Sequence, residues 1–191
     1  MSDIESGVCY FSEKGASNTN KVLSLVLKRA DELKIDTIVV ASTRGGTGVE
    51  AVNKFKGRKV IVVTHSAGFS EPNKQQLTDE NRKEIEKGGG RVLICQHAFG
   101  GIGRAVRKKF GTYMTEEIVA HTLRIFGEGM KVACEIVLMA ADAGLIESGS
   151  DVISVGGTSR GADTAIVVKP VNVNSFFDMK VKEIICKPRL E

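Results

Sequence analysis

The sequence predicts an α/β fold: a single domain over residues 1–191, with helices packed on a mostly parallel sheet. Three observations carry that prediction. Apolar β-branched runs alternate with segments of helical apolar spacing along the chain. Residues 37–64 read as one strand–loop–helix–strand unit, with β-branched runs at 37–41 and 60–64. Loops rich in Gly, Ser and Thr follow the strands, at the carboxyl ends where ligands of such sheets bind. A chain of 191 residues is also long enough to bury a sizeable core.

The elements follow in order. Residues 8–11 make a short first strand, and the polar loop 12–20 carries Gly15 and several capping residues. A helix covers 19–33, where Val22, Val26, Ala30 and Leu33 recur at helical spacing. The second strand, 37–41, enters the loop 42–48, and a short helix opens near Gly48. The third strand, 60–64, ends before His65 and Ser66, and Pro72 marks a loop. Thr78 is an N-cap, Asp79 and Glu80 fill the first turn, and Gly88 to Gly90 stop that helix. The fourth strand covers 91–96 and ends at His97. A basic helix covers 100–110, and Thr115 caps the next, which stops at Gly127 or Gly129. Residues 130–143 are apolar nearly all round, the pattern of a buried helix, and Gly144 stops it. The fifth strand, 151–155, leads into a second glycine loop, 156–164. Residues 165–168 return as a strand, antiparallel because that loop is short, and 181–186 form one more edge strand.

Composition narrows the function. The net charge of +4, from 27 basic and 23 acidic residues, is a weak footprint for nucleic acid. The basic cluster Arg104, Arg107, Lys108 and Lys109 has no interleaved aromatics and reads as a solvated helix face. Cys9, Cys95, Cys134 and Cys186 are widely spaced with no CxxC pair, which suits reduced thiols and a cytoplasmic setting. No Cys/His spacing suits a metal. Residues 1–7 are polar and acidic, not a signal peptide, and the longest apolar stretch, 136–141, is too short to span a membrane.

Chemistry concentrates in the loops. Ser42, Thr43, Arg44, Gly45, Gly46, Thr47 and Gly48 have the make-up of an anion cradle. Glycines let amides turn toward a ligand, hydroxyls add donors, Arg44 adds charge, and the helix start adds free N–H groups. The competing reading is a plain turn. Gly46-x-Gly48-x-x-Ala51 matches the dinucleotide fingerprint formally, but His65 and Ser66 stand where its acidic residue belongs. No Walker lysine follows the loop. The second loop offers Gly157, Thr158, Ser159, Arg160, Gly161, Asp163 and Thr164, and Asn18, Thr19, Thr64 and His65 complete the candidate ligand site. Two such loops suit a ligand larger than inorganic phosphate: a mononucleotide, flavin mononucleotide (FMN) in particular, or a sugar phosphate.

Whether a reaction follows is open at this level. His65 and His97 follow strands, so each is a candidate acid or base; the bland alternative is a surface histidine. Glu135 and Asp142, seven apart, lie on nearly one helix face. Either that face meets solvent or neutralising Lys131 and arginines, or a carboxylate reaches the ligand, with Glu135 the better candidate. Arg44 and Arg160 would neutralise ligand charge, and His121, mid-helix, reads as structural.

Two stretches resemble the carboxyl-terminal α/β domain of pyruvate kinase. The first is 38–64, a strand leading to Ser42-Thr-Arg-Gly-Gly-Thr-Gly48, a short helix through Ala51-Val-Asn-Lys-Phe55, and a strand. The second is 149–168, with its strand, glycine–threonine loop and Asp163-Thr164. The resemblance covers most of 20–170. It implies a three-layer α/β/α sandwich with strand order 3-2-1-4-5, the last strand antiparallel. It also implies a phosphate held by the loop matching 43–48, and a place at a subunit interface, hence a homo-oligomer. The apolar tail from Phe176 and Phe177 to Cys186 would then pair with another copy. The family's catalytic barrel is missing, so pyruvate kinase activity is not implied, and the chain is expected to be a free-standing relative. Gly48 departs from the hydroxyl residue usual there, as do residues 65–110 and 172–191 from the usual domain.

Overall fold

Near-continuous runs of Val, Ile and Ala give strands that need cover on both faces, and the chain supplies it. In a computed structural model, Asp3 and residues 5–189 are described. The ends of the domain placed at 1–191, and part of the stretch 1–7, lie outside the described residues. The strands are β1 (Cys9–Phe11), β2 (Thr37–Ala41), β3 (Lys59–Thr64), β4 (Arg91–Ile94), β5 (Val152–Gly156), β6 (Thr164–Lys169) and β7 (Lys180–Pro188). Among the described residues they form one sheet of order β1-β7-β6-β5-β2-β3-β4. β4, β3, β2 and β5 are mutually parallel, β6 runs antiparallel to β5 and β7, and β1 is parallel to β7.

Counted from β2, the central five strands follow the order 3-2-1-4-5 with the last antiparallel. β7 and β1 then extend the sheet, which corrects one expectation. Residues 181–186 are not an edge strand, because β7 pairs with β6 on one side and β1 on the other. The three-residue β1 is the edge on that side, with β4 at the other, and short edges limit unwanted pairing.

Helices α1 (Thr19–Leu33), α2 (Gly46–Lys54) and α3 (Asp79–Lys87) cover one face. Val22, Val26, Ala51 and Ile85 from these helices meet Ile38, Val40, Val62, Ile153 and Val155 there. The alternate strand residues, Val39, Ile61, Val63, Ile166 and Val168, meet the other layer. That layer is α5 (Thr115–Arg124), α6 (Glu128–Asp142) and the 3-10 segment Val173–Asp178, with α4 (Gly101–Phe110) leaning on α5.

Local boundaries moved where long-range contacts decide them. Thr78 caps α3 as expected, accepting from the Asn81 amide at 3.2 Å. Thr115 is instead the first residue of α5, whose cap position is Met114, and that helix ends at Arg124, before Gly127. α2 opens at Gly46, two residues before Gly48, and β4 ends at Ile94 rather than 96. Phe176 stacks edge-on against Phe99 at 5.7 Å and packs inward, whereas Phe177 is exposed. The four cysteines are free thiols, and burial pushes Cys134 and Cys186 up to about 12. Among the described residues no helix is long and apolar enough to cross a membrane.

Candidate functional site

The parallel strands bring the carboxyl ends of β2, β3, β4 and β5 to one side of the sheet, and the expected site residues gather there in three groups.

The first is the loop after β2. Ser42 is buried, and its Oγ accepts from the Gly48 amide at 3.0 Å. Gly48, on α2, is wedged between β3 and α3, where a Cβ would come within 2.7 Å of Val62 Cγ1 and 2.9 Å of Ile85 Cδ1. The positive φ belongs to Gly45 (98°), not to Gly46. A Cβ at Gly45 would stand 2.4 Å from Asn81 Cβ, because the Asn81 side-chain Nδ2 donates to the Arg44 carbonyl at 2.8 Å and draws α3 close. Thr64 Oγ1 donates to the Thr43 carbonyl at 2.8 Å, joining the end of β3 to the loop. Gly46 differs from both neighbouring glycines: it is exposed, and a Cβ there meets nothing within 4 Å. The Val49 amide bonds the Gly45 carbonyl, and the Gly48 amide bonds Ser42. The amides of Gly46 and Thr47 have no partner among the described residues, the ordinary condition of a helix start. Arg44, in the same loop, is exposed.

The second is the loop 157–163. Asp163 is fully buried; one carboxylate oxygen accepts from the amides of Gly15 (2.9 Å) and Thr158 (3.0 Å), the other from Thr164 Oγ1 (2.8 Å). Thr19 Oγ1 accepts from the Ala162 amide at 3.0 Å and donates to the Ala16 carbonyl at 2.8 Å. Asn18 turns to the Glu13 carbonyl at 2.7 Å. A Cβ at Gly157 would lie 2.4 Å from the Gly161 carbonyl oxygen, and one at Gly161 would lie 2.5 Å from Ala16 Cα. This loop is therefore folded on itself and onto the start of α1, with Ser159 and Arg160 left exposed.

The third group joins residues that stand far apart in sequence. The His65 and His97 rings lie 5.2 Å apart at the ends of β3 and β4. His65 Nε2 is 3.4 Å from Thr43 Oγ1, and its Nδ1 is 2.8 Å from Gln76 Oε1. Burial pushes the His65 imidazole below its ordinary pKa, against the raising effect of Gln76. His97 Nδ1 is 3.6 Å from Glu135 Oε2, and its Nε2 is buried without a hydrogen-bond partner among the described residues. Glu135 accepts from the Phe99 amide at 2.9 Å and pairs with Lys131 one helical turn back, in a site where both are buried. Burial works to raise the Glu135 pKa, but His97 and the Lys131 ammonium outweigh it and hold the carboxyl at about 2. Asp142, on the same helix, is exposed and ties the 3-10 segment through Asn172 and Val173.

Sequence reasoning missed Phe69, Gln76 and Arg104. The Phe69 ring lies 4.0 Å from His65 and 4.9 Å from His97, with the Arg104 guanidinium carbon 4.6 Å over its centroid. The one signal available was an aromatic residue in a polar loop just past a strand-end histidine. The basic cluster is only partly a solvated face: Arg107 bonds Glu117 at 2.7 Å, and Lys108 and Lys109 are exposed. His121 is exposed, edge-on to Tyr113 at 5.5 Å. Among the described residues no three His, Cys, Asp or Glu side chains are placed to hold a metal ion.

The pyruvate kinase alpha/beta domain family model matches residues 20–168, well over half of the chain. Among solved structures, a Cryptosporidium parvum pyruvate kinase is 14% identical with a TM-score of 0.43, over 83% of this chain and 24% of that one. The same organism's enzyme in complex with ADP gives 15% identity, a TM-score of 0.39 and the same coverage. An O-ureido-L-serine synthase is 18% identical with a TM-score of 0.32, over 65% of this chain and 47% of its own. The chain thus spans about a quarter of the length of the pyruvate kinases it matches.

Proposed function

The chain belongs to the pyruvate kinase alpha/beta domain family, and from that premise we propose that it binds a small phosphorylated molecule at the carboxyl end of β2. The observation that carries the reading is the opening of α2. Two amides, of Gly46 and Thr47, are unpartnered among the described residues, the exposed Arg44 belongs to the same loop, and the missing Cβ of Gly46 faces open space. Unpaired helix-start amides with an added cation favour an anion. The closed loop 157–163 contributes a wall rather than donors, apart from the exposed Arg160. The ligand classes are a mononucleotide, FMN among them, or a sugar phosphate, in a cytoplasmic setting. Calorimetric titration of FMN, AMP and ribose 5-phosphate into wild type and Gly46→Val tests the reading. Equal affinity of the two proteins for every probe bound would overturn it.

A second reading, an enzyme acting on that ligand, is favoured by the gathering of His65, His97 and Glu135 beside Thr43. Turnover of phosphorylated metabolites that is indifferent to both His65→Ala and Glu135→Ala would remove it. The homo-oligomer belongs to the same proposal, with its surface moved from the tail to α4 and α5. Ile102, Phe110, Ile118, Ile125 and Phe126, on or next to these two helices, are all exposed and offer apolar surface for a second copy. Sedimentation showing only monomer at micromolar concentration would count against it.

A further inference from the structure

We propose that Phe69 occupies a slot built for a planar heteroaromatic ring, and that the loop carrying it swings away to admit the ring of the bound ligand. The inference rests on the phosphate reading above and narrows it: the ligand is a nucleotide rather than a sugar phosphate.

The slot has flat groups on its sides. Phe69 stacks on His97 at 29° between planes, tilts against His65 at 36°, and lies under the Arg104 guanidinium. Arginine stacks on aromatic faces, and imidazoles offer flat partners with hydrogen-bonding edges. Trp is absent and Tyr numbers two, so planar stacking surfaces are few, and these groups supply several at this end of the sheet.

Phe69 belongs to neither apolar cluster of the core. The tip of its loop is held mainly by its own contacts: the Gly68 amide to the Lys74 carbonyl at 3.0 Å, and an exposed Lys74–Glu71 pair. Gly68 and Asn73 both sit at positive φ (78° and 62°), where the loop reverses. Gln75 and Gln76, which bond His65, hold the base of the loop rather than its tip. Outward movement of the tip therefore breaks the contacts of the Phe69 ring with His65, His97 and Arg104, which a bound ring would replace, and few others.

The histidine on which Phe69 stacks is not fully satisfied. His97 Nε2 is buried and unpartnered among the described residues, an arrangement that costs stability. Thr43 belongs to the first glycine loop and its hydroxyl lies 3.4 Å from His65 Nε2, so the slot borders that loop.

The test is a series at position 69: Phe69→Ala and Phe69→Trp beside wild type, each titrated with FMN and with ribose 5-phosphate. If the plug must open first, emptying the slot raises apparent affinity by the inverse of the open fraction. FMN should then bind at least about fivefold tighter to Phe69→Ala than to wild type. Phe69→Trp should bind it more weakly than wild type, and ribose 5-phosphate should bind all three alike. Ribose 5-phosphate binding with FMN affinity flat or reversed across the series overturns the slot and leaves the phosphate reading standing. FMN tightened by Phe69→Ala but indifferent to Gly46→Val keeps the slot and overturns the phosphate loop. Failure of both probes to bind any of the proteins overturns the two together.

Discussion

The two glycine loops share a composition and differ in state. Each follows a parallel strand, each mixes Gly with Ser, Thr and Arg, and the strands they leave, β2 and β5, are neighbours in the sheet. The loop 157–163 is closed around a carboxylate of its own, with Asp163 taking two amides and a hydroxyl. The loop 42–48 holds no acidic residue. Its structural bonds run through Ser42, Asn81 and Thr64, and the amides of Gly46 and Thr47 stay free among the described residues. An internal anion makes such a loop a clamp; without one, its donors are left for an external anion. Glu135, the carboxylate of the histidine group, is engaged by Lys131, His97 and Phe99.

The comparison can be broken most severely at Asp163. Asp163→Ala strands three donors in a fully buried position. Hydrogen bonds to a charged group contribute about 1.5–3 kcal/mol each, so the loss in urea unfolding should reach about 4 kcal/mol. A loss below about 1 kcal/mol would show that the second loop is not held by its acid.

Glu135 gives the next effect. Its pKa is depressed in the folded protein, so its stabilisation is complete above the unfolded value near 4.5 and disappears as pH falls through about 2. The stability difference between wild type and Glu135→Gln should therefore be roughly 3 kcal/mol at neutral pH and should close between those two values. A difference independent of pH across that window would mean that the carboxylate is not held ionised by Lys131 and His97.

Two substitutions inside the first loop separate packing from binding. Gly45→Ala meets both a positive φ and the Asn81 side chain, and should cost about 2 kcal/mol of stability by thermal melting. Gly46→Val meets neither. It should keep a single cooperative transition while weakening the phosphorylated ligand about tenfold, or about 1.4 kcal/mol, by calorimetry. Equal melting losses at the two positions would erase the distinction between a packed glycine and a ligand-facing one.

Much of this was readable from local pattern. The apolar run at 37–41, the helix at 19–33 and the cap at Thr78 follow from spacing and capping chemistry, which act over a few residues. So does the antiparallel return after the second loop. The candidate site was readable as a roster, since strand-end residues must cluster in a parallel sheet, and His65, His97 and Glu135 do meet. Its sorting was not readable. Nothing in the neighbourhood of Gly45, Gly46 and Gly48 distinguishes them, because Asn81, Leu77, Val62 and Ile85, the residues that do, arrive from other elements.

The sequence by itself determined the fold class, the elements and the end of the sheet where polar residues collect, because periodicity and turn chemistry are properties of adjacent residues. The tertiary structure decided that β7 lies inside the sheet, that Phe69 covers the histidine pair, and that one glycine loop is closed while its neighbour is open. Those outcomes depend on which donor meets which acceptor across the fold, as where the Gly15 amide meets Asp163 148 residues away. A buried polar group takes the partner that packing brings within about 3 Å, and no local pattern records which one that is.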